Sequence, residues 1–423
     1  MGLGLLGRGV GDARYLAEYG AELIVTDLKS REALASSVAE LASFPNIKFV
    51  LGEHRLEDFR DRDLIIKAAG VPLDSPYVVE AKKNAIPVRM SADLFAEISN
   101  IPIIGVTGTR GKSTVTHMVY VILKESGKPV LLGGNVRGVS TLALLKEVTP
   151  SHTAVLELDS WQCQGLGEAS MSPHVAVFTT LYQDHLNYYK DDPAQYLADK
   201  ANIFLRQKPE DVLVLGKQCA PTIIDAYGDL IESKTFVVDT DKLPDTWELR
   251  VPGQHNRYNA ALALTVARAL EISDDTSRVA LESFVGVPGR LELVREKGGV
   301  RIYNDTTATT PEATLAALSA LDPTQTILIM GGADKDLDMN ALLLKLKEVK
   351  RIILLSGTGT SRVLEFIPDA SVFDDLGKAV TEAFASAGEG DTILFSPAFA
   401  SFGMFKNEYD RGDQFIALVH DHA

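Results

Sequence analysis

The 423-residue chain is poor in cysteine: Cys163 and Cys219 form neither a CxxC pair nor a framework. That excludes a disulfide-stapled fold and fits a reducing compartment, so a cytoplasmic location is expected. No apolar run approaches the ~18 residues of a membrane span, and the N-terminus lacks the basic-then-apolar pattern of a secretory signal. Membrane insertion is therefore not expected. Positive charge is not in excess either. The formal net charge of −15 argues against nonspecific binding to nucleic acid or anionic lipid. Anionic nucleotides stay open, because a few local cations and backbone amides can hold them. Internal repeats and low-complexity linkers are also missing, so domain boundaries have to be read from motif positions.

What is present is the composition of a globular protein, 46% hydrophobic and 23% charged. At this length about three domains are expected. Short apolar runs at 23–26, 64–66, 101–106, 130–132, 154–158, 175–179, 212–215, 327–330, 352–355 and 392–395 alternate with helical stretches. The pattern predicts α/β layers with mostly parallel sheets. Boundaries placed before the run at 101 and where a new βαβ series begins give domains 1–91, 92–285 and 286–423.

The most specific motif is Gly105-Val-Thr-Gly108-Thr109-Arg110-Gly111-Lys112-Ser113. It follows a strand-like run and precedes a stretch, Thr114 to Ser126, whose apolar residues recur at helical spacing. Strand, glycine turn, Gly-Lys-Ser and helix make a phosphate-binding loop. Its amides and the helix N-terminus would face phosphates, Lys112 would add a point charge, and the Ser113 hydroxyl would ligate Mg²⁺. Glu157 lies near the end of a neighbouring strand, a place that suits a second Mg²⁺ ligand. Asp184-His185 follows the run at 175–179, where an imidazole could ligate metal or orient phosphates. Lys200 lies on an expected helix and, taken alone, reads as a surface lysine. Asn256 and Asn259, three apart on the next helix, share a face and could meet an adenine edge or a phosphate; capping by Asn256 is the alternative.

The chain opens with a second glycine turn, Gly2-Leu-Gly4-Leu5-Leu6-Gly7, and Asp27 ends the following strand. A dinucleotide-type fold uses such a turn for a diphosphate and such an acid for a ribose hydroxyl. Only Met1 stands where a strand should precede the first glycine. Either the true start lies upstream or the sheet lacks its first strand.

These motifs, with Leu-Glu157-Leu-Asp-Ser160-Trp-Gln162, Gly253-Gln-His255-Asn256, Pro288-Gly-Arg290, Asn304-Asp305-Thr-Thr-Ala308-Thr309, Gly331-Gly-Ala-Asp-Lys335, Ser396-Pro-Ala-Phe-Ala-Ser401 and Phe405-Lys406-Asn407…Arg411-Gly412, run in one order along nearly the whole chain. That order resembles the Mur ligase family. The resemblance implies a Rossmann-like N-terminal domain, a central phosphate-loop ATPase domain and a Rossmann-like C-terminal domain. It implies an ATP-dependent amide ligase of peptidoglycan precursor synthesis, working as a cytoplasmic monomer through an acyl phosphate. The substrates it implies are ATP, UDP-N-acetylmuramoyl-L-alanine and D-glutamate. ATP would meet Gly108, Thr109, Gly111, Lys112, Ser113, Thr114, Asn256, Asn259, Arg290 and Asp305. Metal would meet Ser113, Glu157, His185 and a carbamylated Lys200, with Lys112, His185 and Lys200 serving catalysis. The UDP end would meet Gly4, Leu5, Leu6, Asp27, Lys29, Gly70 and Asn135, and the amino acid Thr309, Lys335 and Ser401.

Arg110, Asp159, Gln164, Gly289, Thr307 and Glu408 depart from the family pattern; Gly289 stands for a histidine, Thr307 for a lysine and Glu408 for an aromatic residue. Two other readings stay open here: another amide ligase of the family, such as a polyglutamate synthetase, and a catalytically silent nucleotide-binding homologue. A dehydrogenase would leave the second phosphate loop without a use.

Overall fold

A computed structural model describes the chain apart from Leu6, His185, Asp191 and Ala423, and apart from the side chains of Leu186 and Asn187. Two compact units are defined: Met1–Asp245 with Tyr258–Leu281, and Thr246–Arg257 with Glu282–Ala423.

The first unit begins with two short parallel ladders. Strand β1 (Leu23–Asp27) pairs with β2 (Ile47–Leu51), and β3 (Ile65–Ile66) with β4 (Val88–Arg89). Met1 and Gly2 lie between them. The Gly2 amide donates to the Thr26 carbonyl, the Met1 amine to the Ile66 carbonyl, and the Ala68 amide to the Met1 carbonyl. Two residues thus hold the place of a central strand, and the glycine turn and helix Arg8–Glu18 follow at once.

The same unit then builds a six-stranded parallel sheet from β5 (Ile103–Thr107), β6 (Val130–Gly134), β7 (Thr153–Glu157), β8 (Val175–Phe178), β9 (Val212–Gly216) and β10 (Lys234–Val238). Their order is β10-β9-β8-β5-β7-β6. Every residue of β5 is buried, as a central strand covered on both faces requires. Gly105 is forced there, since a Cβ would sit 2.5 Å from Pro173 Cγ.

The second unit has one six-stranded sheet: β11 (Glu292–Lys297), β12 (Val300–Asn304), β13 (Thr326–Gly331), β14 (Arg351–Leu355), β15 (Ser371–Phe373) and β16 (Thr392–Phe395), in the order β11-β12-β16-β13-β14-β15. Only β11 runs antiparallel to its neighbour. Strands β13 and β16 are wholly buried, with apolar clusters on both faces of the sheet. The predicted strands all occur, with ends shifted by a residue or two. The apolar-run reading misses β2, β4, β10, β11, β12 and β15. Most of these are short or lie at sheet edges; β10 is exposed at four of five residues, so no apolar run betrays it. No described helix is long and apolar enough to cross a membrane.

Candidate active site

Strand β5 delivers the chain into the glycine loop at the carboxyl edge of its sheet, where open α/β folds place ligands. Gly108 has φ 135° and Gly111 φ 86°, conformations that a side chain makes costly. Space demands glycine as well. A Cβ on Gly108 would lie 2.1 Å from Thr179 Oγ1, and one on Gly111 2.5 Å from Asn259 Oδ1. The loop is then tied to the end of β8: the Thr109 amide donates to the Thr180 carbonyl at 2.7 Å, and the Thr179 hydroxyl to the Arg110 carbonyl at 2.6 Å. Helix Lys112–Glu125 starts directly after. Lys112 Nζ donates to the carbonyls of Gly108 and Thr109 at 3.0 and 3.1 Å. The loop thus has the shape and the cation that a nucleotide phosphate requires.

Glu157 is the last residue of β7 and pairs in register with Val106. It is 3% exposed, and its carboxylate accepts from Asn135 Nδ2 at 3.3 Å. Lys200 reaches the end of the paired strand β5, at the residues that follow Val106. Its Nζ donates to Thr107 Oγ1 at 3.2 Å and to the Gly108 carbonyl at 3.0 Å, and it lies 4.9 Å from the centre of the Tyr196 ring. Far from a surface lysine, it is 1% exposed. Burial, and secondarily the charge of Lys112, lowers its pKa to about 7. Helix Pro193–Ala201 carries Lys200 at its last turn, and Tyr196 on the same helix hydrogen-bonds the Thr109 hydroxyl at 3.1 Å. Among the described residues no group of three or more His, Cys, Asp or Glu side chains could hold a metal. His185 lies outside them. The donor set expected here is mixed, a hydroxyl, a carboxylate and a derivatised lysine; Glu157 ends β7, and Lys200 bonds the last residue of the paired strand β5 and the Gly108 carbonyl after it.

Asn259 packs against Gly111 of the loop. Asn256 is equally buried, but its amide donates back to the Pro252 carbonyl at 2.7 Å, a local bond of the helix start.

At the first glycine turn the Asp27 carboxylate accepts from the Gly4 amide and the Lys29 amide, each at 2.9 Å. The acid expected to face a ribose therefore also shapes the turn. Leu5 is exposed; Leu6 lies outside the described residues. Gly70 sits in a loop fastened by buried Lys67, whose Nζ donates to the Ala69 and Val71 carbonyls. Asn135 follows β6 and touches Glu157 twice, through its side chain and by its own amide to the Glu157 carbonyl at 2.7 Å.

In the second unit Lys335 is exposed and donates to Thr309 Oγ1 at 3.0 Å. Partial burial lowers its pKa despite the opposing charge of Glu408. Ser401 lines a hollow with Gly331, Gly332 and Arg411. Sequence reading gave Arg411 no role, yet it is fully buried. Its guanidinium donates to Thr306 Oγ1, the Thr306 carbonyl and the Phe399 carbonyl, so it pins the two loops that carry Thr309 and Ser401. Arg290 is exposed. Asp305 is buried and accepts from Ser396 Oγ and the Leu291 amide. Burial raises its pKa to about 7, whereas an unfolded aspartate titrates near ~4. Between those values the folded chain holds a proton that the unfolded chain has released. The Asp305 contribution therefore favours folding below pH ~4 and declines as pH rises to ~7. Denaturant unfolding of wild type and Asp305→Asn, compared from pH ~5 to ~8, should show wild type losing ground to the variant as pH increases; a constant difference would refute the shift.

Two α/β units, the first built around a phosphate loop with a buried carboxylate and a buried amine at its base, place the chain among nucleotide-phosphate-binding α/β proteins. The comparisons narrow this. Residues 106–226 match the Mur ligase middle domain and residues 289–399 the Mur ligase glutamate ligase domain. The UDP-N-acetylmuramoylalanine–D-glutamate ligase of Roseiflexus sp. is 37% identical, covering 99% of this chain and 97% of that protein. The ligase of the same name from Borreliella burgdorferi is 34% identical over 100% and 97%. The crystal structure of UDP-N-acetylmuramate–alanine ligase MurC from Thermotoga maritima superposes with a TM-score of 0.63 at 20% identity, over 100% of this chain and 98% of that one. MurF ligase from Thermotoga maritima in complex with ADP gives 0.57 at 19%, over 87% and 97%. The chain belongs to the Mur ligase family.

Proposed function

We propose that the chain is an ATP-dependent amide ligase that joins D-glutamate to UDP-N-acetylmuramoyl-L-alanine in peptidoglycan precursor synthesis. The observation that carries this reading is the pairing of a complete phosphate loop with buried Glu157 and Lys200, in a chain whose full length aligns with D-glutamate ligases. A carboxylate is a poor acyl donor, so ATP converts it to an acyl phosphate, which the amine of D-glutamate then attacks. In this reading residues 1–91 hold the UDP end, 92–285 the ATP and 286–423 the amino acid. ATP would meet loop residues 108, 109 and 111–114 together with Asn256, Asn259, Arg290 and Asp305. Ser113 would hold one Mg²⁺, and Glu157, His185 and a carbamylated Lys200 a second; bound there, the ions neutralise phosphate charge. Lys112 stabilises the charge on the transferred phosphoryl group. Gly4, Leu5, Leu6, Asp27, Lys29, Gly70 and Asn135 serve the nucleotide sugar.

The test is phosphate release from ATP with UDP-N-acetylmuramoyl-L-alanine and a panel of D- and L-amino acids. D-glutamate should be preferred; preference for L-glutamate, L-alanine or a diamino acid would overturn the substrate assignment. Lys335, with Thr309 and Ser401, would hold the D-glutamate carboxylates. Because Lys335 is exposed, Lys335→Ala should raise KM for D-glutamate by roughly ten-fold, the lower end for a charge-assisted bond, and leave KM for ATP nearly unchanged. Equal effects on both would count against the role.

A further inference from the structure

Arg8 is the first residue of the helix after the opening glycine turn, and neither motif nor resemblance assigned it a role. Its Nη1 donates to Asn135 Oδ1. The other end of that amide, Nδ2, donates to Glu157 Oε1. The amide is thus held between a cation and an anion, and reversing it would turn oxygen toward carboxylate and N–H toward guanidinium. Asn135 cannot drift from Glu157, because its own amide donates to the Glu157 carbonyl and because Gly134 closes on that backbone; a Cβ on Gly134 would lie 2.0 Å from the Glu157 oxygen. The helix cannot drift either. Asp12, four residues after Arg8 and on the same face, accepts from Ser140 Oγ and Ser91 Oγ. Gly11 packs so closely that a Cβ would meet Ser140 Cβ at 2.4 Å. The start of this helix and segment 134–141 therefore behave as one piece.

We propose that Arg8 is a positioning residue that couples the nucleotide-sugar diphosphate to the metal ligand Glu157. This rests on the functional reading above, which puts the diphosphate at the glycine turn. A guanidinium has five N–H donors in a rigid fork. One set holds Asn135, and the rest are suited to an anion at the turn. A diphosphate gripped by Arg8 fixes the guanidinium, which fixes the Asn135 amide, which holds the Glu157 carboxylate in one orientation. By linkage, metal at Glu157 must tighten the nucleotide sugar by the same factor.

Calorimetric titration of the full chain with UDP-N-acetylmuramoyl-L-alanine, with and without Mg²⁺, tests this. Wild type should bind more tightly with Mg²⁺. Arg8→Ala should bind roughly ten-fold more weakly and show the same affinity with or without the ion. Arg8→Lys, which keeps the charge but not the fork, should recover part of the affinity and none of the Mg²⁺ dependence; it decides the matter if the alanine variant does not fold. Undiminished Mg²⁺ dependence in either folded variant, or none in a wild type that binds, overturns the coupling. A wild type that does not bind the nucleotide sugar overturns the functional reading itself, and this inference with it.

Discussion

Lys112→Ala should abolish ATP-dependent ligation while the protein still folds. The fold is expected to survive because Lys112 sits at the first turn of its helix, where alanine is a good helix former. Inside the chain the variant loses bonds that include those from Nζ to the Gly108 and Thr109 carbonyls. Those carbonyls belong to a loop that Thr179, Thr180 and the glycine conformations also hold. The loss to chemistry is larger. A fixed cation beside a transferring phosphoryl group acts where water is excluded, and deleting one such group costs about a hundred- to a thousand-fold in turnover. Phosphate release, read alongside a thermal melt, separates the two effects. A well-folded Lys112→Ala protein with undiminished turnover would sink the assignment of this loop to ATP.

The second large effect is expected at Lys200. A lysine that is 1% exposed and lowered to about 7 is about half neutral at neutral pH, whereas an ordinary lysine is almost wholly charged. Only the neutral amine can attack carbon dioxide: its lone pair forms the N–C bond, a proton leaves, and a carbamate anion remains. The proposed product would be a carboxylate-like group where the chain supplies only a lysine. Lys200→Ala should therefore lose roughly a hundred-fold or more in ligation, as for loss of a metal-site group. Bicarbonate or a short carboxylic acid should restore part of it by occupying the vacated space. Full activity of the variant without any additive would count against a carbamate; so would the absence of a carbamate carbon signal from wild type supplied with labelled bicarbonate.

The parts of this molecule that could be read from its sequence are those where backbone chemistry leaves no choice. Gly108 and Gly111 occupy conformations and spaces that exclude a side chain, so their spacing ahead of Lys112 carries structure directly. The buried central strands are short apolar runs for the same kind of reason: both faces are covered. Lys200 was not legible in this way. Its burial comes from packing against residues near position 107 and from the Tyr196 ring, contacts made across the fold, and helical spacing alone would leave it in water. Arg8 and Arg411 are equally silent as letters, since each gains its meaning from carbonyl or amide partners more than a hundred positions away or on a loop. Asp27 was read for a ligand and also serves the turn's own amides. Edge strands such as β10 were missed because exposure removes the apolar signal.

Two of the positions that depart from the family motifs turn out to be neighbours. Both the amide and the hydroxyl of Thr307 donate to the carbonyl of Gly289, at 3.0 and 2.9 Å. Gly289 has φ 73°, and a Cβ there would crowd the methyl groups of Thr306 and Thr307 at 3.0 and 3.3 Å. A histidine at 289 thus conflicts with the threonine beside it, and a lysine at 307 gives up the hydroxyl that steadies the glycine. The two departures thus meet at one carbonyl, where the Thr307 hydroxyl adds a second bond to the one its backbone amide already makes.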